Sequence, residues 1–137
     1  MTAKDFLRQY EYAMRRETRL HEEYRKECEL IDSVRSSANV DGMPHAFSIN
    51  KSVEDRAIKL ADKAMKWKEA TLDALHIRQE VFEVIDQIDG VKADLLKYRY
   101  LDLMQWEEIC VTIKYAWAQT HRLHAEALED VERIING

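Results

Sequence analysis

The chain has 137 residues, enough for one domain or for one domain with an appendage. Charged residues make up 34% of it, with only 3 Gly and 1 Pro, and this composition favours long helices because Gly and Pro punctuate strands and turns. The net charge of −5 argues against a general electrostatic attraction to nucleic acid or anionic lipid, and no apolar run approaches the roughly 18 residues that span a bilayer.

The first predicted helix begins near Ala3, because the preceding run TAKD has the spacing of a capping box. Apolar residues then recur every three or four positions as far as Val34, and they form a single seam on one face. Glu17 and Glu27 interrupt this seam, and charged residues cover the other faces. The pattern predicts one long helix with a narrow apolar stripe.

A loop is predicted over residues 36–52, because this run contains the only Pro and one of the three Gly residues. The run SVED that begins at Ser52 has the spacing of a second capping box. A second long helix is therefore predicted from Ser52 to about Gln87. It has its own apolar seam, in which Arg78 is the charged exception.

The two stripes are too narrow for either helix to be buried on all sides. We therefore expect the helices to bury each other as a long antiparallel hairpin, a coiled coil, over residues 1–88. Aromatic residues such as Tyr12 and Trp67 look exposed beside the stripes, because one partner helix is too narrow to cover them. These residues predict that the hairpin forms a homo-oligomer, most simply a homodimer.

Residues 89–137 are predicted to form a separate, compact unit. Gly90 ends the second long helix. Short helices are predicted from Val91 to about Tyr100 and from about Gln105 to Ile113, and a last helix from about Trp117 to Ile135. Three helices in fewer than fifty residues make a trihelical unit. The predicted fold class is therefore all-α, with a long antiparallel helical hairpin followed by this C-terminal unit.

The stretch from Tyr98 to Leu128 carries a more specific pattern. It contains YRY at 98–100, WEEI at 106–109, RLH at 122–124 and AL at 127–128. In this order and spacing the chain resembles sigma-factor region four and, more closely, small phage-encoded regulators of that type, the autolysin-regulator-like phage transcription factors. The resemblance implies a helix-turn-helix, in which the second helix lies in the major groove of double-stranded DNA while the first helix braces it. It also implies transcription regulation in a host bacterial cytoplasm.

The resemblance implies a set of DNA-contacting residues at the start of the last helix. Arg122 can donate twice to a guanine edge, and Gln119 can pair with adenine. Lys114 and His121 can contact phosphates. The complete set implied by the resemblance is Lys114, Trp117, Ala118, Gln119, His121 and Arg122.

Four positions depart from the family pattern. Leu103 stands where the related regulators prefer Gly. Lys114 takes a turn position usually held by Gly, where a left-handed backbone is needed. Gln105 and Ala116 replace Thr and Ser at helix starts, and the change at Gln105 loses about 1 kcal/mol of capping. Residues 88–137 contain 6 basic and 9 acidic residues, so the predicted affinity for DNA is weak to moderate.

Two other functions fit the same sequence. The first is a helical protein-interaction factor that binds host RNA polymerase or a sigma factor, which the net charge of −3 over residues 88–137 favours. The second is a structural or packaging assembly protein, since such subunits also combine a helix-turn-helix with a coiled coil.

No enzyme, metal or cofactor is expected. The sequence has no Ser/His/Asp ordering, phosphate-cradling Gly loop or zinc-knuckle spacing. Glu107 and Glu108 fall in the first turn of a predicted helix, where acidic residues favour the helix dipole. His121 and His124 lie three residues apart, but no third ligand has matching spacing.

A cytoplasmic protein without a membrane segment is expected. The first residues, MTAKDFLRQYEYAMRRE, contain no apolar signal region. The two cysteines, Cys28 and Cys110, have no motif spacing, so we expect reduced thiols.

Overall fold

The computed structural model describes the backbone of residues 1–41 and 46–137, and the side chains of residues 1–36 and 51–137. Over this part of the chain the protein is helical and contains no strand, which confirms the predicted all-α class and the long N-terminal hairpin. The helices are α1 (Ala3–Asp41), α2 (Ala46–Ile85), α3 (Val91–Leu96), α4 (Trp106–Ile113) and α5 (Trp117–Asn136), with a π-helical segment at Lys97–Leu101. None of the helices searched in the described residues has the length and apolar character of a membrane span.

The predicted loop over residues 36–52 is too long. Helix α1 continues to Asp41, and α2 begins at Ala46 rather than at Ser52. The remaining residues, 42–45, lie outside the described part of the chain. Both helix breakers of the run, Gly and Pro, are among those four residues, so nothing in the flanking sequence prevents the helices from extending.

The chain divides into two compact units. Residues 15–72 form one unit, here called the hairpin unit. Residues 1–14 and 73–137 form the other, here called the core unit. The division into functional regions at 1–88 and 89–137 stays a prediction.

In the hairpin unit, the two acidic residues that interrupt the α1 seam have partners on α2. Glu17 accepts a hydrogen bond of 2.8 Å from the indole N–H of Trp67. Glu27 is only 4% exposed, and its carboxylate lies 3.6 Å from the guanidinium of Arg56 and 3.5 Å from the amine of Lys63. Because residues farther along α1 meet residues earlier in α2, the two helices are antiparallel.

The prediction that Trp67 is exposed is wrong. Trp67 therefore gives no support for oligomerisation. Its ring packs against His21 and Tyr24 of α1, with ring centroids 4.4 and 5.3 Å apart. Its indole is therefore covered within a single hairpin. Tyr12, in contrast, is half exposed, as the sequence predicts.

The core unit is built on fully buried aliphatic side chains. They come from the start of α1, the end of α2, and α3, α4 and α5 together. Arg78, the charged exception in the α2 seam, lies over the ring of Tyr10 with its guanidinium carbon 5.9 Å from the centroid. The largest fully buried aliphatic side chains are Leu7, Val81, Ile85, Leu95, Leu96, Ile109 and Val131.

The predicted short helix over residues 91–100 is two different pieces. Helix α3 ends at Leu96, and the chain then widens into the π-helical segment. There the backbone N–H of Asp102 donates to the carbonyl of Lys97, five residues earlier, at 2.9 Å. This wider turn contains Arg99 and Tyr100, which line a cavity described below.

Candidate nucleic-acid interface

A three-residue turn joins α4 to α5. Helix α4 ends at Ile113, and Lys114 adopts the left-handed conformation, with φ 63° and ψ 40°. The backbone N–H of Tyr115 donates to the carbonyl of Cys110 at 3.2 Å and closes the turn. The left-handed backbone expected at Lys114 is therefore present, although the residue is not a glycine.

Leu103 precedes α4 and Lys114 precedes α5, and both residues have a positive φ. Leu103 has a φ of 55°, so both positions at which the resembled family prefers Gly are left-handed here. A non-glycine residue in this conformation carries about 1 kcal/mol of strain. Gln105 and Ala116 occupy the N-cap positions of α4 and α5, and neither helix has a side-chain cap at its start. These departures thus affect backbone energy and helix ends.

Helix α5 is anchored by one face. Thr120, Ala127 and Val131 are fully buried. The hydroxyl of Thr120 donates to the carbonyl of Ala116 at 2.9 Å, and the Cys110 thiol donates to that hydroxyl at 3.4 Å. The small Cys110 side chain therefore lies where α4 and α5 are in contact.

The structure brings the six sequence-predicted DNA-contacting residues together at the start of α5. We call this set the α5 surface: Lys114, Trp117, Ala118, Gln119, His121 and Arg122. Five of the six are exposed, while His121 is half-buried. Trp117 is 53% exposed and packs one side of its ring on His121, with centroids 4.4 Å apart.

The charge of the α5 surface is small. Lys114 and Arg122 are its two permanently charged residues. Farther along α5 the charged residues are mainly acidic, and the amine of Lys92 on α3 lies 3.6 Å from Glu126 and 3.4 Å from Asp130. Lys92 is therefore held in ion pairs instead of extending a basic patch.

Sequence reasoning missed an aromatic cluster beside the α5 surface. The ring of Trp106 lies 4.6 Å from the rings of both His121 and His124, and the Arg99 guanidinium carbon lies 5.0 Å from its centroid. The Tyr100 hydroxyl and His124 Nε2 are 2.7 Å apart. The motifs YRY, WEEI and RLH contain all of these residues except His121, but nothing in their spacing indicates that they meet.

Burial sets the ionisation of this cluster. It is the main cause that lowers the pKa of His124 to about 4, and the nearby positive charge of Lys4 lowers it further. Burial likewise raises the pKa of Tyr100 to about 12. At neutral pH the phenol is thus protonated and the imidazole neutral, so the phenol can donate to His124 Nε2.

The two histidines do not build a metal centre with other residues that the structure describes. Among those residues, no group of three or more His, Cys, Asp and Glu side chains has the proximity to hold a metal ion. His121 and His124 contact the ring of Trp106 instead.

Comparison with known proteins adds no relative. No family model, curated protein or solved structure matches the chain. Expectations about function therefore depend on the motifs between Tyr98 and Leu128 and on the geometry of the α5 surface.

Proposed function

We propose that this protein is a phage or prophage transcription regulator that binds double-stranded DNA with α4 and α5 as a helix-turn-helix. The observation that carries the proposal is the exposure of Trp117, Ala118, Gln119 and Arg122 in the first two turns of α5, while Thr120, Ala127 and Val131 of the same helix are buried. A recognition helix needs this separation of a buried anchor from a free reading face. The chain would act in the bacterial cytoplasm and would not be an enzyme.

The start of α5 has a second property that suits DNA. Its first turn contains no acidic residue and no side-chain cap, so its backbone N–H groups can donate to a phosphate. Lys114 is exposed immediately before it. A phosphate contact there would position the helix, while Arg122 and Gln119 would provide contacts to base edges.

The affinity should be modest, with a shallow dependence on salt concentration. Few cations of the core unit are available to neutralise phosphates, since Lys92 is paired with Glu126 and Asp130 and Lys97 lies 3.6 Å from Asp86. Each phosphate that a cation neutralises adds about 0.9 to the salt slope, so a small number of contacts gives a shallow slope and weak binding.

A homodimer formed through the hairpin unit would raise the affinity by presenting two reading helices to two half-sites. The support for it is a row of exposed apolar residues on α2, at a spacing of seven positions: Ile58, Met65 and Leu72. This spacing is typical of a coiled-coil seam. A monomer mass by light scattering at tens of micromolar protein would contradict the dimer.

The test of DNA binding is selection of bound duplexes from a random pool, followed by fluorescence anisotropy on the selected site. Arg122→Ala should weaken binding by about 1–3 kcal/mol, because its guanidinium matches a guanine edge. Arg133→Ala is the matched control, since Arg133 is an exposed arginine near the far end of the same helix. Equal effects of the two changes, or no binding by the unmodified protein at low salt, would contradict the proposal.

A second candidate function is supported by exposed apolar side chains. Val111 is 78% exposed on α4, close in sequence to the half-exposed Trp117. Together with the net charge of −3 over residues 88–137, this suits a protein partner such as host RNA polymerase or a sigma factor. Retention of purified polymerase by this protein, abolished by Val111→Asp and unaffected by Arg122→Ala, would favour this alternative. A structural or packaging role is supported only by the combination of hairpin and helical unit.

A further inference from the structure

A cavity of about 450 Å³ lies within the core unit, beside the α5 surface. It is bounded by the first turns of α1, the π-helical segment, and residues of α4 and α5. Its volume falls in the range of roughly 300–1,000 Å³ that small-molecule sites occupy. π-Helical turns of the kind that contributes to its wall recur at functional sites.

The cavity is positively charged, although the protein as a whole is acidic. Lys4, Arg8 and Arg99 line it, and Glu11 is the only carboxylate among its lining residues. Arg8 lies 3.6 Å from Glu11, so three cations against one anion leave an excess of two positive charges. Lys4 is exposed and has no ion-pair partner among the described residues. The lining therefore favours an anion.

Aromatic rings form part of the walls of the cavity. Trp106, Tyr100, His121 and His124 all contribute to them, and the Arg99 guanidinium stacks on Trp106. Within this wall His121 Nε2 is inaccessible to solvent and has no hydrogen-bond partner. A buried polar nitrogen without a partner is uncommon in proteins, and it indicates a group that the protein alone does not provide.

We propose that this cavity binds a small anion with a planar ring, an aromatic carboxylate or phosphate. Lys4 and Arg8 would contact the anionic group, because they line the side of the cavity formed by α1. The ring would pack against Trp106, and His121 Nε2 would gain its missing hydrogen bond. The cavity already exists, and only the His121 ring has to turn for its buried Nε2 to reach the ligand.

The occupant would be coupled to the α5 surface through His121. The ring of His121 touches Trp106 on the cavity wall and the half-exposed Trp117 on the α5 surface, with centroids 4.6 and 4.4 Å away. A ligand that reorients His121 would therefore also reorient Trp117. This second step rests on the proposed function, and it would make the ligand an effector of DNA binding.

The binding step is tested without DNA, by NMR of the full chain titrated with benzoate, benzamide or inorganic phosphate. Benzoate and benzamide share a ring and differ in charge, whereas phosphate has the charge without the ring. Benzoate should shift the histidine ring resonances saturably, with a dissociation constant on the order of 1–10 mM for so few atoms. Benzamide and phosphate should each bind at least about fivefold more weakly. Bound benzoate should also raise the pKa of His124 from about 4, because an anion favours the imidazolium.

Lys4→Gln should weaken benzoate binding about three- to tenfold. Lys59→Gln is the matched control, because Lys59 is an exposed lysine of the hairpin unit. Circular dichroism checks that both variants keep their helices. The proposal is overturned if benzamide binds as well as benzoate, if the two variants lose equal affinity, or if no saturable shift occurs. A benzoate-saturated protein whose DNA affinity is unchanged would overturn only the coupling, and it would leave the binding site standing.

Discussion

The hairpin unit and the core unit differ in what they bury. Among the described side chains of the hairpin unit, few are buried, and one of them is the carboxylate of Glu27. In the core unit, fully buried aliphatic residues such as Leu96 and Ile109 belong to one continuous cluster. Since burial of one such side chain stabilises a protein by about 1.5–3 kcal/mol, most of the apolar stabilisation belongs to the core unit.

This contrast indicates that the hairpin is specified more by polar partners than by apolar area. A buried ion pair contributes little net stability, because desolvation offsets its Coulomb attraction. It does disfavour wrong alignments, since sliding α1 along α2 by one heptad would leave Glu27 beside only one of Arg56 and Lys63, which are seven positions apart. Glu17 and Trp67 add a second polar contact that the same slip would break.

The largest expected effect is in the core unit. Ile109→Ala should lower the free energy of unfolding by about 2–5 kcal/mol, because Ile109 is fully buried and its loss leaves a cavity. Val111→Ala, on the same helix at 78% exposure, should change it by less than about 0.5 kcal/mol. Urea denaturation followed by circular dichroism measures both. A loss at Ile109 no larger than that at Val111 would mean that the apolar cluster does not dominate.

A smaller loss is expected in the hairpin unit. Glu27→Ala should lower the free energy of unfolding by about 1–3 kcal/mol, because Arg56 and Lys63 lose their carboxylate but remain partly hydrated. Glu23→Ala, an exposed position one turn earlier in α1, is the control and should have almost no effect. If Glu27→Leu proves as destabilising as Glu27→Ala, the carboxylate itself is essential; recovery with Leu would show that packing suffices.

Acid should weaken the core unit through His124. Folding lowers the pKa of His124 from 6.5 to about 4, so between these values the unfolded chain binds a proton that the folded protein excludes. This contribution is complete above pH 6.5 and is lost as the pH falls toward 4, by roughly 1–2 kcal/mol for a partly exposed side chain. Thermal denaturation across this window should show a flatter pH dependence for His124→Gln. His76→Gln, at an exposed residue, should keep the slope of the unmodified protein.

The smallest effect should be a gain. Lys114→Gly should stabilise the protein by about 1 kcal/mol relative to Lys114→Ala, because both changes remove the charge and only Gly relieves the left-handed strain. For the same reason, Leu103→Gly should be more stable than Leu103→Ala. Melting temperatures of the four variants decide it. An advantage for Ala at either position would show that the backbone there is not strained.

Much of the fold could be predicted from the sequence, because periodicity and caps are local signals. Helix α1 begins at Ala3 as predicted, and the backbone N–H of Asp5 donates to the Thr2 hydroxyl at 3.2 Å. The start of α5 at Trp117 was also correct. The start of α2 was wrong, because Ser52 has the spacing of a capping box and nothing local shows that a helix already covers it.

The candidate site could be predicted only in part. The positions on the α5 surface follow from helical spacing once α5 is assigned, and the expected left-handed Lys114 follows from turn geometry. The cavity could not be predicted. It joins Lys4 and Arg8 to residues about ninety or more positions later in the chain, and only the packed core brings them together.

The core unit has a further consequence for how the chain is made. The first apolar residues of the core unit, among them the fully buried Leu7, are synthesised before the residues beyond 73 against which they pack. At a synthesis rate of roughly 5–20 residues per second, these residues stay without their packing partners for several seconds. The intervening residues 15–72 form a unit by themselves, so the hairpin can close first and shorten the effective loop that Leu7 must cross. During synthesis the hairpin unit would therefore form first, and the core unit would fold after it.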